Sequence, residues 1–378
     1  MKYLSILLLL GAVACTRKPA NHLVIRGTIP GAPDSTVVTL TAEDKSFPQI
    51  TGHVIDGKFE IRGKVDVPTY CKLGLYDEVG VDGFSRVREI PVFVANGELT
   101  FSTPHIDSMP LPEGAWLRDI RKERHYTLKG SKVQDAFYTF QQQTVDLRYD
   151  IKRLTSDFFS TKRLDIYKVW QKAEKEFAKI SLDFIEKEQE LKLKLHVANG
   201  LKRYAYTYDQ AYLDRLERSF TSYQDTCKGL WDFRKYLKDA SAFVKDTPLK
   251  DVDVRTVDGK TVSIRTILNK KGYTIIDFWA SWCGACRASN PRLQELAKQF
   301  GDRISFVSIS TDQEDKVWLK AVEEENLPWE QYRTLSTELK PFRLGVTLLP
   351  TFLMIDTKGN VVFAGTNTGA LELWLENF

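Results

Sequence analysis

The spacing of apolar residues divides the chain into three parts. In the first, short runs rich in Val, Ile and Thr are separated by turn-forming residues, a pattern typical of antiparallel strands. Asp56-Gly57 and Asn96-Gly97 each lie between two such runs and predict tight hairpins. The predicted strands are residues 23–27, 36–41, 52–55, 58–62, 71–76, 90–94 and 98–102. We therefore expect residues 21–113 to form an all-β, sandwich-like domain.

In the second part, apolar residues recur every three or four positions, which predicts helices from about residue 132. Further helical stretches are predicted at 212–220 and 228–237. The predicted apolar faces of the first two helices comprise Val133, Phe137, Phe140, Val145 and Leu147, and then Trp170, Ala173, Phe177, Ile180 and Phe184. Residues 116–245 are therefore predicted to be α-helical.

The third part, residues 247–378, alternates strands with helices, which indicates an α/β domain. The apolar run 273–279 suits a central buried strand. A helix is predicted from about Cys283 to residue 300, and a closing hairpin joins 351–355 to 361–364. The whole chain is thus predicted to be multidomain, with a C-terminal α/β domain behind an all-β domain and an α-helical middle region.

The first residues predict a targeting signal. Lys2 precedes an apolar run at 4–10, which is much shorter than the ~20 residues that a spanning helix needs, so residues 1–14 are predicted to be a signal peptide. Small residues directly before Cys15 resemble a bacterial lipobox, which implies acylation of Cys15. The alternative is ordinary cleavage with Cys15 uninvolved. We expect a lipoprotein of the cell envelope that faces the periplasm and is held to the membrane by its lipid.

Charge and cysteine content narrow the choice of function. The formal net charge of +4 is too small to imply a nucleic-acid partner. Lys and Arg outnumber Asp and Glu in the helical region, which indicates a solvated surface, with a docking face for an acidic partner or anionic membrane as the alternative. Cys71 and Cys227 are isolated in the sequence, and they either pair or are small buried residues.

Cys283 and Cys286 carry the predicted chemistry. The strand at 273–279 is followed by a short turn that delivers Cys283 to the start of a helix, where free backbone N–H groups and the helix dipole favour an anion. The thiolate is the reactive form of cysteine, so this position activates Cys283. Cys286 is one turn deeper and can close a disulfide with Cys283. We predict that the first sulfur is exposed and the second is shielded.

This segment resembles the thioredoxin-fold oxidoreductases, and in particular their membrane-anchored TlpA/ResA-like branch, over residues 247–378. Besides the cysteines, the resemblance rests on Asp277, Trp282, Pro291 and Leu349-Pro350. It implies a buried acid at Asp277, a kinked helix at Pro291 and a cis proline at Pro350 that faces the disulfide. Upstream, Ile25-Arg-Gly27, residues 54–63 and Val67-Pro68 resemble the DUF4369-like β domain of Bacteroidetes lipoproteins.

The resemblance implies roles for the catalytic residues Cys283, Cys286, Asp277 and Pro350. Cys283 attacks a partner disulfide, Asp277 takes the proton of Cys286, Cys286 resolves the mixed disulfide, and Pro350 keeps a backbone edge open for the partner. The implied substrate contacts are Trp282, Gly284, Ala285 and Leu349. The redox group is the Cys283–Cys286 disulfide itself, without another cofactor or a metal. Implied partners are protein disulfides and a membrane thiol transporter of the DsbD/CcdA type as electron donor.

Two departures from the family pattern change the expected chemistry. Ser289 stands where TlpA/ResA-like proteins of cytochrome c maturation commonly have a glutamate, which argues against that dedicated role. Ser308 stands where thioredoxin has a lysine near its buried acid, which predicts a less well compensated Asp277.

The sequence is less compatible with three other kinds of site or function. A zinc site is disfavoured because the sequence has no second CxxC pair. A thiol peroxidase is disfavoured because Ile276 and Ala280 replace the Pro and Thr/Ser that its motif needs. The remaining alternative is an envelope lipoprotein that binds a ligand or partner, with the α/β domain as a scaffold. The sequence therefore favours a thiol–disulfide oxidoreductase.

Overall fold

The computed structural model describes residues 22–77, 86–115, 118–161, 163–202, 209–224, 227–241, 244–335, 346 and 348–376. The predicted signal peptide and Cys15 lie outside these ranges. The chain forms two compact units, Met1–Gln143 and Thr144–Phe378. Within the described ranges, no helix has the length and apolar character needed to cross a membrane.

The first unit is a two-sheet β domain. Its strands are β1 (Leu23–Thr28), β2 (Val37–Ala42), β3 (Ile50–His53), β4 (Lys58–Gly63), β5 (Thr69–Asp77), β6 (Arg86–Val94), β7 (Gly97–Ser102) and β8 (Thr127–Lys129). One sheet has the order β4-β1-β7-β8 and the other β3-β2-β5-β6. Alternate apolar residues of both sheets share one buried core. The predicted sandwich-like domain is confirmed, although β1 and β7 pair in parallel rather than antiparallel.

The two predicted hairpins have different outcomes. At Asp56-Gly57 both residues have positive φ, 51° and 67°, and Ile55 and Lys58 exchange backbone hydrogen bonds, so this tight turn is confirmed. The hairpin at Asn96-Gly97 is wrong, because β6 and β7 belong to different sheets. The Asn96 side chain instead binds the backbone N–H and carbonyl of Val65, at 3.0 and 2.8 Å. The connection therefore crosses from one sheet to the other.

Among the described residues of the next region there are five helices, one more than the four stretches that the apolar periodicity predicts. They are α1 (Lys132–Thr161), α2 (Leu164–Lys187), α3 (Leu191–Gly200), α4 (Gln210–Arg218) and α5 (Lys228–Ala240). The predicted apolar face of α2 is confirmed in part: Trp170 is buried, Ala173 and Phe177 pack half-buried against the same cluster, and Phe184 is half-buried. The buried residues of α2 are Tyr167, Trp170, Glu174, Ala178, Ser181, Leu182 and Ile185. Because α2 contacts α3, α4 and α8 (Thr368–Leu375), its buried face is set by these three neighbours.

The C-terminal domain is built on a seven-stranded sheet. Its strands are β9 (Asp253–Thr256), β10 (Thr261–Ser263), β11 (Tyr273–Trp279), β12 (Ile304–Ser310), β13 (Glu330–Thr334), β14 (Thr351–Ile355) and β15 (Val361–Gly365), in the order β10-β9-β13-β12-β11-β14-β15. Besides α8, its helices are α6 (Gly284–Phe300) and α7 (Asp315–Glu325). The apolar strand β11 lies in the sheet interior, as the sequence predicts, and it is parallel to β12 and antiparallel to β14.

Within the second unit, α1 and α2 pack against α8. Phe158, Tyr167 and Trp170 form one buried cluster with Ala370 of α8. Phe158 lies so close to Gly369 that a Cβ there would be 2.3 Å from its ring. Lys168 pairs with Glu376 at 3.0 Å. The helices and the α/β domain therefore share a core on the α8 side of the sheet.

Candidate active site

The turn between β11 and α6 places Cys283 at the mouth of a helix. Cys283 is the N-cap residue of α6, and its backbone N–H donates to the Ala280 carbonyl at 3.0 Å. Its Sγ accepts a hydrogen bond from the backbone N–H of Cys286 at 3.2 Å. The sulfur thus satisfies one of the free N–H groups at the positive end of the helix dipole. This is the position that the sequence predicts.

Cys283 and Cys286 form a disulfide. Cys286 is 2% exposed and Cys283 is 7% exposed, so the prediction of an exposed first sulfur is wrong, although Cys283 is the more accessible of the two. The reason is packing, because the closed ring joins a cluster with Trp279, Trp318 and Ala321, against which Leu349 also packs.

The surface around the disulfide contains the other predicted residues. Trp282 is 72% exposed, and Gly284 and Ala285 are exposed at the first turn of α6. The Leu349-Pro350 bond is cis, as the resemblance implies, and it directly precedes β14, the neighbour of β11. Leu349 is half-buried against the disulfide cluster. Contact of these residues with a substrate stays a prediction.

Asp277 is buried in the centre of the sheet. It is 4% exposed, and burial raises the pKa of its carboxyl to about 7. Ser308 faces it across the β11–β12 pair, where the sequence places it, and donates to Oδ2 at 3.0 Å. This hydrogen bond favours the carboxylate and lowers the pKa in opposition to burial. The group is therefore able to change its protonation near neutral pH.

Trp329 extends this arrangement and was missed by sequence reasoning. Its Nε1–H donates to Ser308 Oγ at 2.9 Å. Trp329 precedes β13, and nothing in the local pattern points to a partner in β12. The tertiary pairing of β12 with β13 brings the two together.

A second polar network holds the turn before Cys283. The carboxylate of Asp312 accepts from the Ser281 backbone N–H at 2.9 Å and from the Ser281 hydroxyl at 2.7 Å. Ser310 adds a hydrogen bond to the same carboxylate at 2.7 Å. Buried Arg333 donates to the Asp312 carbonyl at 3.0 Å. Asp312 follows the carboxyl end of β12, an edge where α/β sheets place functional groups, so a signal for it existed in the sequence.

Helix α6 is also tied to α7. Arg287, next to Cys286, pairs with Glu324 at 2.7 Å and with Glu325. Ser289 donates to the Ala285 carbonyl at 2.9 Å, so it stays within its own helix. Pro291 lies inside α6, as the resemblance implies. The positive charge nearest in sequence to the disulfide is therefore matched by carboxylates.

The remaining cysteines are separate from this site. Cys71 and Cys227 are both free thiols rather than a disulfide. Cys71 is fully buried in β5, and burial raises the pKa of its thiol to about 12. Among the residues that the structure describes, no three His, Cys, Asp or Glu side chains are grouped to hold a metal ion.

Comparison with known proteins gives two domain matches. The family model Thioredoxin matches residues 256–324, and the model DUF4369, a domain of unknown function, matches residues 23–137. The thioredoxin of Rhodospirillum rubrum is 33% identical over 105 residues, which are 28% of this chain and 76% of the relative. The thioredoxin of Haemophilus influenzae is 30% identical over 113 residues, 30% of this chain and 81% of the relative. The M-type thioredoxin of Chlamydomonas reinhardtii is 32% identical, but only 56% of it is covered, with 20% of this chain.

Two solved structures illustrate the similarity. The thioredoxin domain of a thiol-disulfide oxidoreductase from Bacteroides vulgatus is 24% identical with a TM-score of 0.33, covering 36% of this chain and 97% of that one. A thiol:disulfide interchange protein from Bacteroides sp. is 24% identical with a TM-score of 0.33, covering 36% of this chain and 91% of that one. Through its C-terminal domain, the chain belongs to the thioredoxin family of thiol–disulfide oxidoreductases, and it carries a DUF4369 domain ahead of that domain.

Proposed function

We propose that the protein reduces or exchanges disulfides of other cell-envelope proteins through the Cys283/Cys286 dithiol. The observation that carries the proposal is the hydrogen bond from the Cys286 N–H to Cys283 Sγ at the mouth of α6. The same donor stabilises a thiolate after reduction, because charge strengthens a hydrogen bond. Cys283 is then the attacking sulfur, and the more deeply buried Cys286 is the resolving one.

The reaction has two exchange steps. The Cys283 thiolate attacks one sulfur of the partner disulfide, a mixed disulfide forms, and the other partner sulfur leaves as a thiolate. Asp277 then accepts the proton of the Cys286 thiol, directly or through a water, and the Cys286 sulfur attacks Cys283. The second partner sulfur leaves, so the partner has gained two electrons. The protein is left with the Cys283–Cys286 disulfide that the structure contains.

The proposed direction is reduction of the partner. Gly284-Ala285 differs at one residue from the Gly-Pro pair of reducing thioredoxins. The reduction potential of the Cys283–Cys286 couple tests this direction. A value near thioredoxin's ~−270 mV supports a reductase, whereas one near DsbA's ~−120 mV supports an oxidase.

The location and the electron source are part of the proposal. A reductase outside the cytoplasm needs electrons, and we propose a membrane thiol transporter of the DsbD/CcdA type as the donor. The proposed anchor is acylated Cys15, supported by the small residues that precede it. A Cys15→Ala variant should move from the membrane fraction to the released fraction. Retention of this variant in the membrane would remove the lipid anchor from the proposal.

Insulin reduction with dithiothreitol as the electron source tests the activity itself. Wild-type protein should accelerate insulin precipitation, and Cys283→Ser should lose that acceleration. Cys227→Ser is the matched control, because it removes a free thiol of the same unit and should retain the wild-type rate. Equal rates for wild type and Cys283→Ser would favour the alternative in which the domain is a scaffold for binding.

A further inference from the structure

We propose that Trp329 is a positioning residue for the redox reaction: its indole N–H fixes the Ser308 hydroxyl so that the hydroxyl proton is always given to Asp277. The inference rests on the proposed function, since it concerns the base that serves Cys286. It assigns to a tryptophan and a serine the place that a lysine has in the thioredoxin pattern.

The direction of both hydrogen bonds follows from the chemistry of the groups. An indole N–H can only donate, so Ser308 Oγ accepts from Trp329 at 2.9 Å. A serine hydroxyl has one proton, and with Trp329 occupying a lone pair, that proton points to Asp277 Oδ2 at 3.0 Å. Ser308 is fully buried, so water does not compete for its hydroxyl. Trp329 thus keeps the Ser308 hydroxyl oriented as a donor to Asp277.

The hydrogen bond from Ser308 is the main interaction that stabilises the charged form of Asp277. Asp277 lies on the α6 side of β11, because Ile275 packs against residues of α6 and Trp279 packs with Cys286. Its register neighbours are Ser308 on β12 and Phe352 on β14. Burial and the Ser308 hydrogen bond are the influences on its pKa, with no contribution from a charged side chain of the described residues.

Trp329 is half-buried and contacts the core through an aromatic neighbour. Its ring packs on Phe306, with centroids 5.5 Å apart, and it lines a cavity of about 790 Å³ beside α6. The titratable side chains of that lining are Lys298, Glu330 and Tyr332, and none of them contributes to the pKa of Asp277. The effect of Trp329 on Asp277 therefore passes through Ser308.

The test is the pH dependence of Cys286 attack on a preformed mixed disulfide at Cys283. In Trp329→Phe the Ser308 hydroxyl is free to rotate, so it donates to the Asp277 carboxylate for only part of the time. The pH midpoint of Cys286 attack should therefore shift upward by several tenths of a pH unit. Ser308→Ala should shift it further in the same direction, and Ser308→Thr, which keeps the hydroxyl, should restore the wild-type midpoint. Trp374→Phe, which removes another half-buried indole packed against the same core cluster, is the matched control and should leave the midpoint unchanged.

The double variant decides whether Trp329 acts through Ser308. Ser308→Ala with Trp329→Phe should have the midpoint of Ser308→Ala alone, because the indole then has no hydroxyl to direct. A Trp329→Phe profile that overlays wild type, or a double variant whose shift is the sum of the two, would overturn the inference.

A titration that does not depend on activity separates this inference from the proposed function. The ¹³C carboxyl signal of Asp277, assigned by its loss in Asp277→Asn, should titrate at higher pH in Trp329→Phe than in wild type. If wild type fails to reduce insulin while this shift is present, the proposed function fails and the positioning role stands. If insulin is reduced and the signal titrates identically in both proteins, the positioning role fails alone.

Discussion

The Ser308 hydroxyl donates to the buried carboxylate of Asp277 at 3.0 Å, on the face of β11 from which Trp279 packs with Cys286. A neutral donor at this place compensates a carboxylate less than a lysine does, because it carries no opposite charge. The carboxyl pKa accordingly lies near 7. The protonation state of the Asp277 carboxyl therefore changes with pH in the neutral range.

Asp277→Asn should make the oxidised protein more stable at alkaline pH. The pKa of Asp277 is 3.8 ordinarily and about 7 when buried, so the folded protein binds this proton more tightly than the unfolded chain does. Wild type therefore loses stability as pH rises from about 4 to about 7, by at most about 4 kcal/mol. Urea unfolding at pH 5 and pH 8 should show that this loss is absent in Asp277→Asn. The exposed Asp302→Asn is the control, and parallel changes in all three proteins would contradict the expectation.

Cys286→Ser should trap the first exchange step. Without a resolving sulfur, Cys283 keeps the partner bound as a mixed disulfide, whereas Cys283→Ser should trap little or nothing. Mass spectrometry of each variant after incubation with an oxidised protein substrate measures the adduct. Equal trapping by the two variants, or greater trapping by Cys283→Ser, would reverse the assigned roles.

Trp282→Ala should weaken binding of protein substrates without destabilising the fold. Trp282 is 72% exposed, so its removal should change the free energy of unfolding by less than about 0.5 kcal/mol. The expected result is a several-fold higher KM for a protein disulfide, with a small dithiol reporter hardly affected. Trp231→Ala removes another exposed tryptophan, 54% accessible, away from the disulfide in sequence and on α5, and should leave both KM values unchanged. Equal KM changes in the two variants would remove Trp282 from substrate binding.

Asp312→Ala should loosen the turn before Cys283. It removes the acceptor for both the N–H and the hydroxyl of Ser281, at 2.9 and 2.7 Å, which should cost about 3 kcal/mol of stability. Insulin reduction should fall several-fold even where the protein remains folded, because Cys283 is less well positioned. Asp302→Ala, at an exposed loop, is the control for loss of a carboxylate. Wild-type activity and stability in Asp312→Ala would show that this network does not position the turn.

The sequence predicted those elements of the C-terminal fold whose local pattern of apolar residues matches their position in the sheet. The apolar run at 273–279 predicts a buried strand, and the position of Cys283 predicts the start of a helix. Both predictions are confirmed. β13 was not predicted, because its sequence Glu-Gln-Tyr-Arg-Thr is polar and its buried Arg333 is satisfied by distant carbonyls. The buried face of α2 was predicted only in part and the hydrogen-bond partners of Asn96 were mispredicted, because both depend on which distant element packs against them.

Within the site, the family resemblance pointed to Cys283, Cys286, Asp277 and Ser308, and the β11–β12 pairing brings Asp277 and Ser308 together. Their catalytic roles stay predictions. Trp329 was missed because its role arises from a hydrogen bond between segments distant in the chain. Asp312 was missed although its position after β12 was a signal, because its partner Ser281 is distant in the chain. The predicted exposure of Cys283 was also wrong. Its burial comes from Trp318 on α7 and Leu349 before β14, and local residue spacing does not reveal these contacts.

Alkylation of the reduced, full-length protein at pH 7 tests the central claim most directly. Iodoacetamide should modify Cys283 faster than a cysteine in an unstructured peptide, because the helix mouth holds its sulfur as a thiolate, and should modify Cys286 much more slowly. Peptide mapping at timed intervals gives the three rates. If Cys283 reacts no faster than the peptide thiol, the sulfur is not activated and the account is contradicted.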